Sequence, residues 1–301
     1  MIRKYWQIIV LALVVIVFWS PVIFNNEFQS DERDIMSVFE KQGVSINYLI
    51  KPHNEHFMPM YKLILYTHYK MFGYDNIVPS IILNIFMHAV NIVLFYLLCC
   101  YLFSRSKWKP FILSLAFSIN SAYFEVVHAG ITLSNALVLF FLLCSLLCLQ
   151  NYVLTKAKVF LYSGLFFSFF IPMNFSMGIL GLFFILVYYF AVLRKSFRPP
   201  FSGEDIKITV SFTVVWLLYL LLYFTAARAG SSLSSINLNP GLVLQFLCLG
   251  FLGGIIKTCG LSIGSAPVNL IMAILLLFFF VFYGIFFVIY LALNPKQDRV
   301  P

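Results

Sequence analysis

The sequence predicts an all-α, polytopic transmembrane protein, a single integral membrane domain over residues 1–301. Three observations carry this. Of the 301 residues, 62% are hydrophobic and only 10% charged, against roughly 25% charged in an average soluble domain, and the mean hydropathy is +0.95. Apolar runs long enough to cross a hydrocarbon core of about 30 Å recur along the chain. The basic residues behind the net charge of +9 gather in short clusters at the ends of those runs. That is the pattern of topology signals, not the continuous basic stripe of a nucleic-acid binder. No stretch outside the runs is long enough to bury a soluble core of its own.

Arg3 and Lys4 precede the first run, Tyr5 to Phe24, and no small-residue cleavage site follows it. It reads as a retained signal anchor with the N-terminus in the cytoplasm. Residues 25–77 then form an extracytoplasmic loop, and the remaining spans occupy 78–293. Val78 to Phe103 ends at Arg105, Lys107 and Lys109, the cytoplasmic side. Pro110 to about His128 returns outward, and Ile131 to Leu154 comes back to Lys156 and Lys158. The apolar stretch from Val159 to Leu193 has basic residues at both ends and requires an even number of crossings. Pro172-Met173-Asn174 divides it into two short helices. The first, of about 13 residues or roughly 20 Å, is too short to span alone.

Ile206 to Arg228 leads to a Ser/Asn/Gly loop, 229–241, and two further candidates follow, Leu242 to about Ile263 and Val268 to Leu293. The total is about nine spans, with 8 to 10 as the range. Nine crossings put Lys296 and Arg299 outside, against the charge bias. Either that signal is overridden or the segment around Gly253, Gly254 and Lys257 is re-entrant. The six cysteines, Cys99, Cys100, Cys144, Cys148, Cys248 and Cys259, all fall within or at the ends of apolar runs and read as small packing residues.

Seven of the eleven acidic residues and three of the five histidines lie between Glu27 and Asp75. This polar stretch contains NNEFQSDERD (25–34), a short amphipathic run, and KPHNEHFMP (51–59). Asp31, Glu32 and Asp34 can serve as a general base or hold a divalent cation bridging a phosphate leaving group. An ordinary solvated acidic loop would look the same. His53, Glu55 and His56 have the spacing of a metal site, and equally of polar contacts to a lipid-borne phosphate with Lys51 supplying charge. Glu125 and His128 share one helical face near the outer end of their span, as a site or as a mutual pair. Asn84, His88 and Asn91 line one stripe of the second span, where interhelical hydrogen bonding is the default role. There is no Walker loop, dinucleotide fingerprint or zinc-protease helix motif.

Read in order, the acidic pair after the first span, His56-Phe57-Met58-Pro59, MFGYD (71–75), NIFMHAVN (84–91) and AFSINSAYFEVVHAG (116–130) resemble the amino-terminal half of the GT-C superfamily of polytopic glycosyltransferases. The likeness is greatest to bacterial members similar to protein O-mannosyltransferases, and covers roughly residues 20 to 180. It implies a GT-C-like fold whose first extracytoplasmic loop carries short amphipathic helices. It also implies that a loop carboxylate, by position Asp31 or Glu32 with Asp34 nearby, is the catalytic base or helps bind metal and donor phosphate. Met58 stands where an Arg is usual in an H-x-R-P-like element, so Lys51 or Lys62 would have to supply that contact. Ser121 replaces a frequent Pro, and the segment 172–176 lacks a Lys-Glu pair.

The expected function is transfer of a sugar from a polyprenyl-phosphate donor to an acceptor hydroxyl at the extracytoplasmic face of a bacterial inner membrane. Asp31, Glu32 and Asp34 are the catalytic candidates. Lys51, His53, Glu55, His56, Lys62, His88, Glu125 and His128 are the substrate-binding ones. A divalent ion, Mg or Mn, would fall to Asp31 and Glu32. The expected partners are the lipid-linked donor and the bilayer, with no nucleic acid. The rivals are a transporter or flippase for lipid-linked sugars, which would place ionisable residues near the midplane in related half-repeats, and a non-catalytic partner in envelope-polysaccharide assembly, which the missing Arg favours.

Overall fold

The computed structural model describes residues 2–24, 30–53, 56–73, 75–106, 108–120, 123, 124, 127, 132–196 and 201–229. Among these there is helix and turn but no strand. The expected spans at 242–263 and 268–293 lie outside the described residues. Backbone contacts divide the chain into two compact units, Met1–Tyr188 with Pro200–Leu233, and Tyr189–Pro199 with Ser234–Pro301. In the second, the described residues form one π-helical turn, Tyr189–Leu193, and the coil after it.

In the first unit, α1 (Ile2–Trp19) runs into a 3-10 turn, Ser20–Phe24. The polar stretch that follows is itself helical, with α2 (Ser30–Gln42), α3 (Ile46–Ile50) and α4 (Pro59–Phe72). Pro59 opens α4, where its fixed φ suits a first helical turn, and Gly73, at φ 84°, closes it. Then come α5 (Val78–Leu102), α6 (Lys109–Ser118), α7 (Leu133–Thr155), α8 (Lys158–Phe170), α9 (Gly181–Tyr188) and α10 (Gly203–Ala229). Among the described residues, four helices are long and apolar enough to cross a membrane: Trp6–Phe24, Val78–Leu102, Leu133–Thr155 and Gly203–Tyr223. A helix keeps its backbone hydrogen bonds within the segment, as a bilayer requires.

The expected crossing from Pro110 to about His128 begins with only ten residues of helix, α6, roughly 15 Å at 1.5 Å per residue. Its end at Ser118 is fixed from outside. The Ser118 carbonyl accepts hydrogen bonds from Trp19 Nε1 of α1 (2.9 Å) and His88 Nε2 of α5 (3.1 Å). The break at Pro172 falls where the sequence places it, α8 having 13 residues. Gly178 makes the following turn possible. A Cβ there would sit 2.5 Å from the Ile171 carbonyl oxygen and 2.7 Å from Pro172 Cα.

Helix α5 is central, packing on α1, α6 and α7, while α7 pairs with α8 and α8 with α10. Leu11, Val15 and Trp19 of α1, Ile35, Met36 and Phe39 of α2, Tyr61 and Leu65 of α4, and Ile81, Ile85 and Ile92 of α5 form one continuous core. The short loop helices are thus anchored by the same burial that joins the spans. Cys99 is buried, and Cys100, Cys144 and Cys148 are partly so, all unpaired. The α7–α8 turn is tied to the start of α10 by the Lys156–Glu204 ion pair, and Trp6 meets Trp108 and Phe111 at the start of α6.

Candidate functional site

The apolar face of α2 decides which acidic residue is available. Glu32, Ile35, Met36 and Phe39 recur at helical spacing, and all four are buried. Glu32 is fully enclosed and accepts a hydrogen bond from Tyr61 Oη at 3.4 Å. Burial, and then the Glu32 carboxylate, hold the Tyr61 phenol well above its usual range. Asp31, one position earlier, has a half-exposed side chain (49%) with Oδ1 3.9 Å from His53 Nε2. Asp34 is exposed. Its charge adds to burial in pushing the Tyr48 phenol up to about 12.

His53 and His56 exchange two backbone hydrogen bonds of 2.9 Å, an isolated antiparallel bridge that holds both rings. His53 Nε2 is buried and has no hydrogen-bond partner. Burial lowers the proton affinity of this ring, Asp31 opposes that shift, Lys62 adds to it and Asp34 opposes it. The His56 ring stacks on Phe175, centroids 4.2 Å apart and planes at 29°, and so meets the turn that follows α8. Next to it Phe57 packs with Tyr219 and Tyr223 of α10. The first loop, the break at Pro172 and the end of α10 therefore converge at one end of the bundle.

The two lysines part ways. Lys51 is exposed and contributes its carbonyl. Lys62 is buried, donates from Nζ to the Tyr48 carbonyl (3.1 Å) and to the Lys51 carbonyl, and lies 4.5 Å from the Tyr48 ring centroid. Burial, helped by Lys51, pushes its pKa down to about 8. It seals the end of α3 onto α4. His88 is enclosed in the bundle, its Nε2 engaged by Ser118 and its face stacked on Tyr123 at 4.1 Å. Asn91, on the same stripe, donates to the Ala136 carbonyl of α7 at 2.9 Å. Glu55, Glu125 and His128 lie outside the described residues.

Asp31, His53 and, through the backbone, His56 are thus brought together, with Lys51 nearby in sequence. His88 and Lys62 serve the fold. Among the described residues no group of three or more His, Cys, Asp or Glu could hold a metal ion, and Asp31 and Glu32 diverge, one toward the surface and one inward. Sequence reasoning missed Tyr61, Tyr48 and Phe175. The helical spacing of Ile35, Met36 and Phe39 was the available signal for Glu32, because it places position 32 on their face. No signal in the chain pairs Phe175 with His56. The chain matches no protein-family model, no curated protein and no solved structure.

Proposed function

We propose that the protein is a GT-C-like glycosyltransferase with about nine crossings, its basic helix ends cytoplasmic and the Asp31–His56 rim at the extracytoplasmic face of a bacterial inner membrane. The observation that supports this most is the half-exposed Asp31 carboxylate beside the buried, unbonded His53 Nε2, at the polar end of an apolar bundle. Asp31 takes the proton from the acceptor hydroxyl. The acceptor oxygen forms its bond to the anomeric carbon as the bond from that carbon to the phosphate oxygen breaks, and the polyprenyl phosphate leaves with the electron pair. Lys51 and His56 balance the phosphate charge. Glu32 acts through packing, by fixing the first turn of α2.

The test is consumption of radiolabelled polyprenyl-phosphate hexoses and pentoses by the full chain in proteoliposomes, compared with Asp31→Asn. Loss of a general base costs about 10² to 10⁴ in rate. A wild type that consumes no donor, or an Asp31→Asn variant at full rate, overturns the reading. Movement of intact donor across the bilayer would instead identify a flippase.

A further inference from the structure

Helix α5 carries a polar stripe that the transfer reaction does not use. Asn84, His88 and Asn91 recur at spacings of four and three, and all are fully enclosed, at 0% exposure. At 1.5 Å per residue α5 is about 37 Å long, and His88 and Asn91 lie roughly 15 to 20 Å from its start. They are therefore near the middle of a span, at a depth where the hydrocarbon of a bilayer, about 30 Å thick, keeps bulk water away. The surroundings are uncharged. Helices α1, α5, α6 and α7 contain no Asp or Glu.

The hydrogen bonds that these side chains make fix what their remaining atoms require. A carbonyl only accepts, so His88 Nε2, 3.1 Å from the Ser118 carbonyl, carries the ring proton, and Nδ1 of the neutral ring is an acceptor. Asn91 Nδ2 donates to the Ala136 carbonyl at 2.9 Å, which leaves Oδ1, again an acceptor. His88 Nδ1 and Asn91 Oδ1 are both buried and neither has a hydrogen-bond partner. Residues three apart on a helix have Cβ atoms about 5–6 Å from each other, and helical side chains lean toward the amino terminus, which carries Asn91 over the His88 turn. Ser114 Oγ of α6 is a third buried atom without a partner. It belongs to the inward stripe of α6, with Pro110 and Ser118. Because α6 returns alongside α5 to meet His88 at Ser118, three residues on from His88 and four back from Ser118 bring Asn91 and Ser114 to levels within about 2 Å.

We propose that His88 Nδ1, Asn91 Oδ1 and Ser114 Oγ form a hydration site in the middle of the bundle, where buried water donates to the imidazole and the amide and accepts from the serine hydroxyl. The chemistry of the three atoms decides the occupant. Two acceptors must be met by a donor. A metal or ammonium cation would meet them, but with no carboxylate on the four helices its charge would be uncompensated in an apolar interior, which costs far more than enclosing a neutral group. An anion only accepts. Water is neutral, donates twice and accepts, and buried waters make about three hydrogen bonds to polar groups that are otherwise unmet. This site does not depend on the proposed sugar transfer.

The full chain, with its histidines labelled with ¹³C at Cε1 and ¹⁵N in the ring, is placed in lipid nanodiscs, and magnetisation transfer from water to the Cε1 proton of His88 is measured by NMR. The ¹⁵N spectrum reads the same contact independently, because an imidazole nitrogen whose lone pair accepts a hydrogen bond resonates upfield of one whose lone pair is unbonded. The wild type should show the transfer and an upfield Nδ1. N91L should lose the transfer and move Nδ1 downfield, and S114A, which removes one oxygen and adds no volume, should weaken the transfer. S145A should change neither, since Ser145 donates to the Gly164 carbonyl at a different contact, between α7 and α8. No transfer to His88 in the wild type, an Nδ1 at the unbonded position, or signals unchanged in both N91L and S114A would each overturn the proposal. The indole N–H resonance of Trp19, bonded to the Ser118 carbonyl, reports whether each variant is folded, and S114A keeps the test decisive should N91L not fold.

Discussion

Replacing Asp31 by Asn should lower the proton affinity of His53. The sign follows from the charge: a carboxylate favours the imidazolium, so its removal leaves burial and Lys62 acting together in the downward direction with only Asp34 opposed. The size follows from the 3.9 Å separation. Two unit charges about 4 Å apart attract by about 1 kcal/mol in bulk water. Because Asp31 is half exposed and its charge is screened, about 0.5 to 1 kcal/mol is the appropriate range, a factor of about two to five in proton affinity. The assay is a pH titration of the protein labelled with ¹³C at histidine Cε1, the five histidines being assigned by single replacements. Lys62→Gln supplies an arm of opposite sign, raising the His53 titration. A His53 titration unmoved by Asp31→Asn would show that the two side chains are not neighbours, and the general-base assignment would lose its geometric support.

Lys62 should titrate near its depressed value of about 8, well below exposed lysines near 10.4, which a ¹³C-dimethyl-lysine titration reads directly. Since the folded chain releases this proton before the unfolded chain does, the Lys62 contribution makes stability rise with pH from about 8 to 10.5. Gly178→Ala should destabilise by about 1–3 kcal/mol or more, because its Cβ meets backbone and not a yielding side chain. Thermal unfolding in detergent checks this, and the ring-current shift of His56 from Phe175 should weaken together with it. Trp19→Phe and His88→Leu each leave the Ser118 carbonyl one donor, so the double variant should lose about 1 kcal/mol more than the two single losses combined. Strict additivity would show that the shared carbonyl is not what couples them.

The long helices were legible because their signals are local. The apolar runs expected at Val78–Phe103, Ile131–Leu154 and Ile206–Arg228 appear as Val78–Leu102, Leu133–Thr155 and Gly203–Ala229, each bounded by charge or a turn residue that hydropathy registers. Pro172 was legible for the same reason, since proline removes a donor wherever it stands. The end of α6 was not. Hydropathy continues past Ser118, and what stops the helix there is a pair of donors, Trp19 and His88, 99 and 30 residues away in sequence. The helices in the polar stretch were only partly legible. Their amphipathic character shows in the sequence, but their burial depends on packing against α1 and α5.

The site divides along the same line. Residue type makes Asp31, Glu32, Lys51, His53, His56 and Lys62 of the loop, and His88 of the second span, all candidates, since charge is a property of the side chain alone. Availability is a property of the partners. Glu32 is engaged by Tyr61, Lys62 by two carbonyls and the Tyr48 ring, and His88 by the end of α6. Removing any of these would expose an uncompensated polar group in the core, so a loss of activity on their replacement would report folding before chemistry. Asp31 is half-exposed and Lys51 exposed, and replacing them leaves the core intact. Activity lost at Asp31 while the fold persists is therefore the measurement that bears on function, and the same loss at Glu32 is not.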